Sequence, residues 1–225
     1  MRARAERLRA VAEAIRGRGG QALDLAADVS RPAELERFVG ATLERFGRID
    51  ILVNNAGTSA ARAFDTVDDA AWQADLELKL FAAIRCVRLC VPAMRRGGGG
   101  RIINILNTGA KAPGARSVPT SVSRAGGLAL TKALSKELAA DHILVNAVCI
   151  GFVKSGQWER RWASAGRPGT LDEFYARLAR EREVPLGRIG EASELAALVA
   201  FLASDQAAYV TGVAINFDGG LVDVV

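Results

Sequence analysis

Gly47-Arg48-Ile49-Asp50-Ile51-Leu52-Val53-Asn54-Asn55-Ala56-Gly57 carries a continuous apolar run into a turn of small polar residues. Residues 49–53 have the pattern of a strand buried on both faces of a parallel sheet. Upstream, Leu8, Val11, Ala12 and Ile15 form a helical stripe that stops at the glycines of 17–20, and residues 21–26 read as a second strand. Ser30 is placed to cap the following helix, with Pro32 in its first turn and Leu35, Phe38, Val39, Leu43 and Phe46 on its buried face.

Downstream, one long helix is predicted over 68–94 through Trp72, Leu76, Leu80, Ile84 and Val87. A break at 97–100, a strand over 101–106, a helix over 120–140 and a strand over 143–148 follow. Residues 151–190 are less regular, with Thr170 and Glu173 spaced as a capping box. A helix over 194–202 and a strand over 213–217 complete the pattern. Such alternation predicts a mostly parallel sheet with helices on both sides. The ligand crevice then lies beyond the carboxyl ends of the strands, where 54–57, Asn107 and Gly151 converge.

With 225 residues and 50% hydrophobic content, residues 1–225 are expected to form a single domain with one core. No apolar stretch reaches the roughly 18–20 residues of a membrane span, and the charged first residues lack a signal-peptide core, so cytoplasmic residence is the default. Cys86, Cys90 and Cys149 lack metal-ligand spacing, and His142 is the sole histidine; free thiols and no metal are expected. The net charge of +5 is spread over arginine-bearing helices without the interleaved aromatics of a nucleic-acid module. It reads as a solvated basic face. His142 reads as a surface turn residue.

These motifs, in this order, resemble the classical short-chain dehydrogenase/reductase family over nearly the whole chain. Asp28-Val29 is similar to the acidic end of the family's third strand, and 47–57 to its fourth-strand signature. Arg101-Ile102-Ile103-Asn104-Ile105 and Val145-Asn146-Ala147-Val148 resemble the fifth and sixth strands. Pro185-Leu186-Gly187-Arg188-Ile189-Gly190 and Phe217-Asp218-Gly219-Gly220 resemble the C-terminal part. The resemblance implies a Rossmann-like three-layer α/β domain and an NAD(P)-dependent oxidoreductase acting on carbonyl or alcohol groups. It also implies NAD or NADP contacts at Asp28, Asn54, Ala56, Gly57, Arg124, Gly151 and Val153, with a substrate lid within 151–190. Trp158, Trp162, Phe174 and Tyr175 are candidates to line that lid's pocket, and Lys154, Arg160 and Arg161 to favour an acidic group.

Two departures from the family pattern shape the functional expectation. The first β-α-β segment, with the TGxxxGxG turn whose backbone cradles pyrophosphate, has no counterpart here, so the domain is expected to be incomplete and cofactor binding weakened. Two missing strands would leave a gap near 10 Å at about 4.8 Å per neighbour. Residues 21–26 would pair beside 49–53, or the N-terminal third would be loose, or another chain would fill the space. In the second departure, the family's serine, tyrosine, lysine and asparagine positions fall on Asn107, Thr120, Arg124 and Lys79. A threonine hydroxyl has no acid form comparable to tyrosine's near neutral pH, and arginine does not release a proton. Lys79 is the one titratable substitute.

Each position also has a plainer reading. Thr120 reads as a helix N-cap, Arg124 and Lys132 as solvated, and Asn107 as a turn residue. Lys79 could lay its stem over apolar surface with its amine in water. Ordinary dehydrogenase turnover is therefore expected to be impaired. The alternative is a non-catalytic regulatory pseudoenzyme. The family's dimers and tetramers pack the helices beginning here near Asp68 and Thr120, so a homo-oligomer, or a hetero-oligomer with a full-length homologue, is expected; neither a nucleic acid nor a membrane is.

Overall fold

Four parallel strands form one sheet in chain order: β1 (Ile51–Asn54), β2 (Gly100–Asn107), β3 (Ile143–Ile150) and β4 (Ala214–Phe217). The computed structural model describes residues 2–225, with side-chain surroundings given from Glu6 onward. Eight α-helices accompany the described strands: α1 (Arg2–Arg16), α2 (Pro32–Phe46), α3 (Asp69–Leu76), α4 (Ala82–Arg96), α5 (Thr120–Glu137), α6 (Gly156–Ser164), α7 (Leu171–Glu181) and α8 (Ala192–Ala203). The architecture is a three-layer α/β domain, as the sequence pattern implies.

Alternation along the central strands divides the core. Ile102 and Val145 pack with Val87, Cys90, Val91 and Met94 of α4 and Val39 of α2. Ile103, Ile105 and Val148 face the other way, onto Leu202 and its neighbours on α8. Leu106, Ala147 and Cys149 meet Leu128 of α5. Register pairs Ile102 with Val145 and Asn104 with Ala147, so β2 and β3 are covered on both faces, as their apolar runs predict.

β1 departs from that expectation. Its register sets Val53 beside Ile103, on the face that α8 covers further along the sheet. Val53 is 41% exposed and Ile51 48% exposed, so this strand is half covered rather than buried on both faces. Leu52 packs against the α2–α4 core, whereas Ile51 and Val53, on the opposite face of this edge strand, belong to no core cluster.

The strand predicted over 21–26 is also absent. A strand needs a ladder partner, and these residues have none among the described strands. Their backbone is held by side chains instead: Arg16 donates to the Ala22 carbonyl and pairs with Asp24, and Arg37 donates to the Ala26 carbonyl. Of the α1 stripe, Ala12 is buried, while Leu8, Val11 and Ile15 stay at least 41% exposed.

Ser30 does not cap α2. The helix starts from extended Arg31 with Pro32 at its head, and the Ser30 amide and hydroxyl both bond Asp28 Oδ1. Gly47 closes α2 in the left-handed conformation, a backbone state that favours glycine. The long helix predicted over 68–94 is present but interrupted. Asp68 caps α3, and a π-helical turn over Glu77–Phe81 joins α3 to α4. Single π turns inside helices occur frequently at functional sites.

Candidate functional site

The strand ends place Asn54, Asn107 and Ile150 on one edge, with the loop after β1 crossing above the start of α5. A ladder of amides fixes that edge: Asn54 Nδ2 donates to Asn104 Oδ1 at 2.9 Å, and Asn104 Nδ2 donates to Thr131 Oγ1 at 2.9 Å. Thr131 in turn donates to the Gly127 carbonyl of α5 at 2.7 Å. Buried amides paired in this way tie β1, β2 and α5 into one unit.

The π turn carries Lys79 inward. Its side chain has 0% exposure, and the amine is ion-paired to Asp75 of α3 and hydrogen-bonded to Thr120 Oγ1 at 2.9 Å. The plainer reading, with the amine in water, is therefore wrong: the side chain points into the domain. Burial pulls the Lys79 ammonium below its ordinary range, the Asp75 carboxylate pushes back, and the Arg124 guanidinium adds to the lowering. Ser123 donates to the second oxygen of Asp75 at 2.6 Å.

Thr120 is likewise not an N-cap. The residue before α5 is Pro119, in helical conformation with no side-chain cap, and Thr120 is 4% exposed. Its hydroxyl oxygen accepts from the Ala60 amide at 2.9 Å and from Lys79. Both lone pairs of a hydroxyl are thereby engaged, which leaves its proton to be given to an acceptor.

Arg124 is not solvated. Nη1 donates to the Ile105 carbonyl at 2.8 Å, and the buried Nε has no partner. Burial lowers this guanidinium from its ordinary value, while the Asp75 carboxylate opposes the shift. Gly57 lies against it: a Cβ there would stand 2.6 Å from Arg124 Nη2 and 3.7 Å from Lys79 Cγ. Lys132 is exposed, as its plainer reading holds. Asn107 ends β2 before a 3-10 turn, yet its Oδ1 is buried without a partner.

Lys79, Thr120, Arg124 and Gly57 are thus brought together. Asn107 stands at the neighbouring strand end. Gly151 follows β3 against Asp218, and Val153 is buried in a bridge to Gly190. Asp28 is apart from this cluster, engaged with Ser30 and Glu34.

Residues 151–190 cover the edge with a small core of their own. Tyr175, Leu178 and Ile189 pack with Phe152, Trp158 and Phe174, so these aromatics fill a core of this segment instead of lining an open pocket. Lys154 pairs with Glu191 at 2.5 Å rather than standing free for an acidic group. Gln157 of α6 accepts from Thr58 Oγ1 and the Ser59 amide, which ties α6 to the loop above Thr120. Asp75, Ser123 and Gln157 escaped the sequence reading. Only the first had a signal, since it lies four residues before Lys79 on a predicted helix.

A cavity of about 280 Å³ runs along the β1 edge, between Leu25, Val29 and Phe38 on one side and Asn54, Ala56 and Lys79 on the other. That is near the lower end of the roughly 300–1,000 Å³ usual for small-molecule sites. The unpartnered Arg124 Nε, a donor, fits the hydroxyl-rich ribose end of a dinucleotide. The pyrophosphate end has no TGxxxGxG turn among residues 1–225. A larger concavity of about 600 Å³, lined by His142 and Tyr209, lies at the amino-terminal ends of β2 and β3, away from this chemistry. Among the described residues, no group of three or more metal-ligating side chains is assembled.

A parallel sheet with polar and cationic side chains gathered at its carboxyl edge is the arrangement of doubly wound α/β domains, whose ligands lie beyond the strand carboxyl ends. Residues 1–222 match the family described as Enoyl-(Acyl carrier protein) reductase. The granaticin polyketide synthase putative ketoacyl reductase 1 of Streptomyces violaceoruber is 40% identical over 224 residues, which cover 96% of this chain and 80% of that protein. The 3-oxoacyl-[acyl-carrier-protein] reductase of Synechocystis is 34% identical, over 95% of this chain and 81% of that protein. A short chain oxidoreductase of Pseudomonas aeruginosa, solved with NADPH and described as containing an atypical catalytic center, has a TM-score of 0.90 and 36% identity, over 98% of this chain and 84% of that one. L-sorbose reductase of Gluconobacter frateurii, solved with NADPH and L-sorbose, has a TM-score of 0.91 and 31% identity, over 98% and 84%. The chain belongs to the short-chain dehydrogenase/reductase family.

Proposed function

We propose that the chain is an NADPH-linked carbonyl reductase of this family whose proton donor is the Lys79–Thr120 pair, and that it turns over more slowly than a tyrosine-based centre. The observation that carries this reading is the 2.9 Å hydrogen bond from Lys79 Nζ to Thr120 Oγ1 inside the buried network. The NADPH complex of the 36% identical oxidoreductase with an atypical centre supports it. The ketoacyl reductases among the relatives favour a 3-oxoacyl thioester as substrate class.

When bound, the nucleotide supplies the hydride. Thr120 gives its hydroxyl proton to the carbonyl oxygen, and Lys79 replaces it. Asn107 donates its amide to the same oxygen, and Arg124, with Asn54, Ala56, Gly57, Gly151 and Val153, holds the nicotinamide ribose end. Thr120 is covered by the loop carrying Ala60, so that loop and α6 move before substrate reaches it. Slow turnover follows from the donor itself: a threonine is a weaker proton donor than an activated tyrosine.

The test is fluorescence titration with NADPH, followed by NADPH oxidation in the presence of an acetoacetyl thioester of N-acetylcysteamine. Saturable binding with slow, thioester-dependent oxidation is expected; the absence of both binding and oxidation would refute the proposal. A second reading, a partner-bound pseudoenzyme, is favoured by the uncovered β1 edge at Ile51 and Val53. Its mark would be co-purification with a full-length homologue and no oxidation at any thioester concentration.

A further inference from the structure

Asp75 has no counterpart among the motifs that align this chain with its family. It precedes Lys79 by one helical turn, on the amino side of the π turn, and its side chain is 1% exposed. One carboxylate oxygen meets the Lys79 amine, and the other accepts the Ser123 hydroxyl at 2.6 Å. Ser123 lies on α5 one turn after Thr120, with its Oγ 3.0 Å from the Thr120 carbonyl. Two helices are thus pinned to each other through a single carboxylate.

The charged groups acting on Lys79 are few. Asp75 faces it from its own helical segment and Arg124 from α5, while Thr120 is neutral. Without the carboxylate, a buried ammonium would be left near a like-charged guanidinium, with only the Thr120 hydroxyl to aim it. Three donors on an ammonium allow many orientations, and the carboxylate selects one.

We propose that Asp75, clamped by Ser123, is a positioning residue that holds the Lys79 ammonium on Thr120 Oγ1. The inference rests on the proton-donor reading above. Lys79 donates only while protonated, so the rate of reduction falls as pH rises through its titration. Removing the carboxylate lowers that titration and moves the alkaline limb of the rate profile to lower pH. Loss of one adjacent opposite charge shifts a titration by about 1–3 units.

The experiment compares the parent with Asp75→Asn and Ser123→Ala, each checked for a cooperative melt. Lys79 is titrated by NMR in protein labelled at lysine Cε, and kcat for reduction of the acetoacetyl thioester is profiled against pH. In Asp75→Asn both the Lys79 titration and the alkaline limb are expected to fall by about 1–3 pH units; in Ser123→Ala both move the same way by less. If Asp75→Asn does not fold, the Ser123→Ala shift decides the matter. A Lys79 titration unchanged in every folded variant would overturn the inference, as would an unmoved alkaline limb in an active one. A titration that shifts in a chain without turnover sinks the proton-donor reading and leaves the positioning intact.

Discussion

A methyl group on Gly57 would stand 2.6 Å from Nη2 of Arg124, whose other terminal nitrogen is fixed on the Ile105 carbonyl. Gly57→Ala should therefore push the guanidinium off its acceptor, weaken NADPH binding, and cost about 1–3 kcal/mol of stability from overpacking. Nucleotide titration and chemical denaturation of the variant check both effects; unchanged affinity would free Arg124 from a role at the nucleotide. At this scale the sequence was informative about positions and poor about surroundings. The family spacing located Lys79, Thr120 and Arg124, which the fold brings together. It gave no indication that Lys79 is buried, because an isolated lysine between leucines is compatible with a stem on the surface. Ser123 was illegible because its partner lies 48 residues away and meets it only when α3 and α5 pack.

Among the elements, β2, β3 and α5 are where the sequence pattern and the structure agree most closely, because each strand has neighbours on both edges and cover on both faces. The strand expected over 49–53 forms at 51–54, but on the sheet edge with Ile51 and Val53 uncovered; residues 21–26 were misread because apolar continuity reports a tendency to be buried, whereas strand formation also needs a partner ladder. The amide ladder from Asn54 through Asn104 to Thr131 compensates in part by tying the edge strand inward. Asn104→Ala should leave the Asn54 amide without its acceptor and lower the unfolding free energy by about 1–3 kcal/mol, seen as an earlier urea midpoint. The thiols give a second check. Burial pushes Cys90 up to about 12, with Cys86 adding to the shift, whereas an unfolded thiol titrates near 8.5. The folded state keeps a proton that the unfolded state releases, so this group's contribution is full below about pH 8.5 and is lost as pH rises toward 12. Lys79, lowered by burial, works in the opposite sense. Comparison of Cys90→Ala with its parent isolates the thiol: the melting-temperature gap should narrow between pH 8 and 10.5, and a widening gap would reverse the sign.

Over the whole molecule, one sheet carries two different surfaces. The carboxyl edge is covered by residues 151–190, whose aromatic core and Gln157 contacts hold them on the loop above Thr120. The β1 edge is open, with the 280 Å³ cavity beside it reaching Lys79 from the far side. No described helix is long and apolar enough to cross a membrane. The helices expected to form an oligomer interface, beginning near Asp68 (α3 through α4) and Thr120 (α5), present Val122 at 47% exposure and Phe81, in the π turn, at 38%. What unites these surfaces is the buried Asp75–Lys79–Thr120 network at their centre. The sharpest test of it is Thr120→Val, which keeps the shape and deletes the hydroxyl. At saturating NADPH, kcat for the acetoacetyl thioester should fall by about 10²–10⁴, the usual loss for a positioned proton donor, with NADPH affinity held within about twofold. A parent chain that does not oxidise NADPH, or a variant with undiminished kcat, would contradict the assignment of Thr120 as the proton donor.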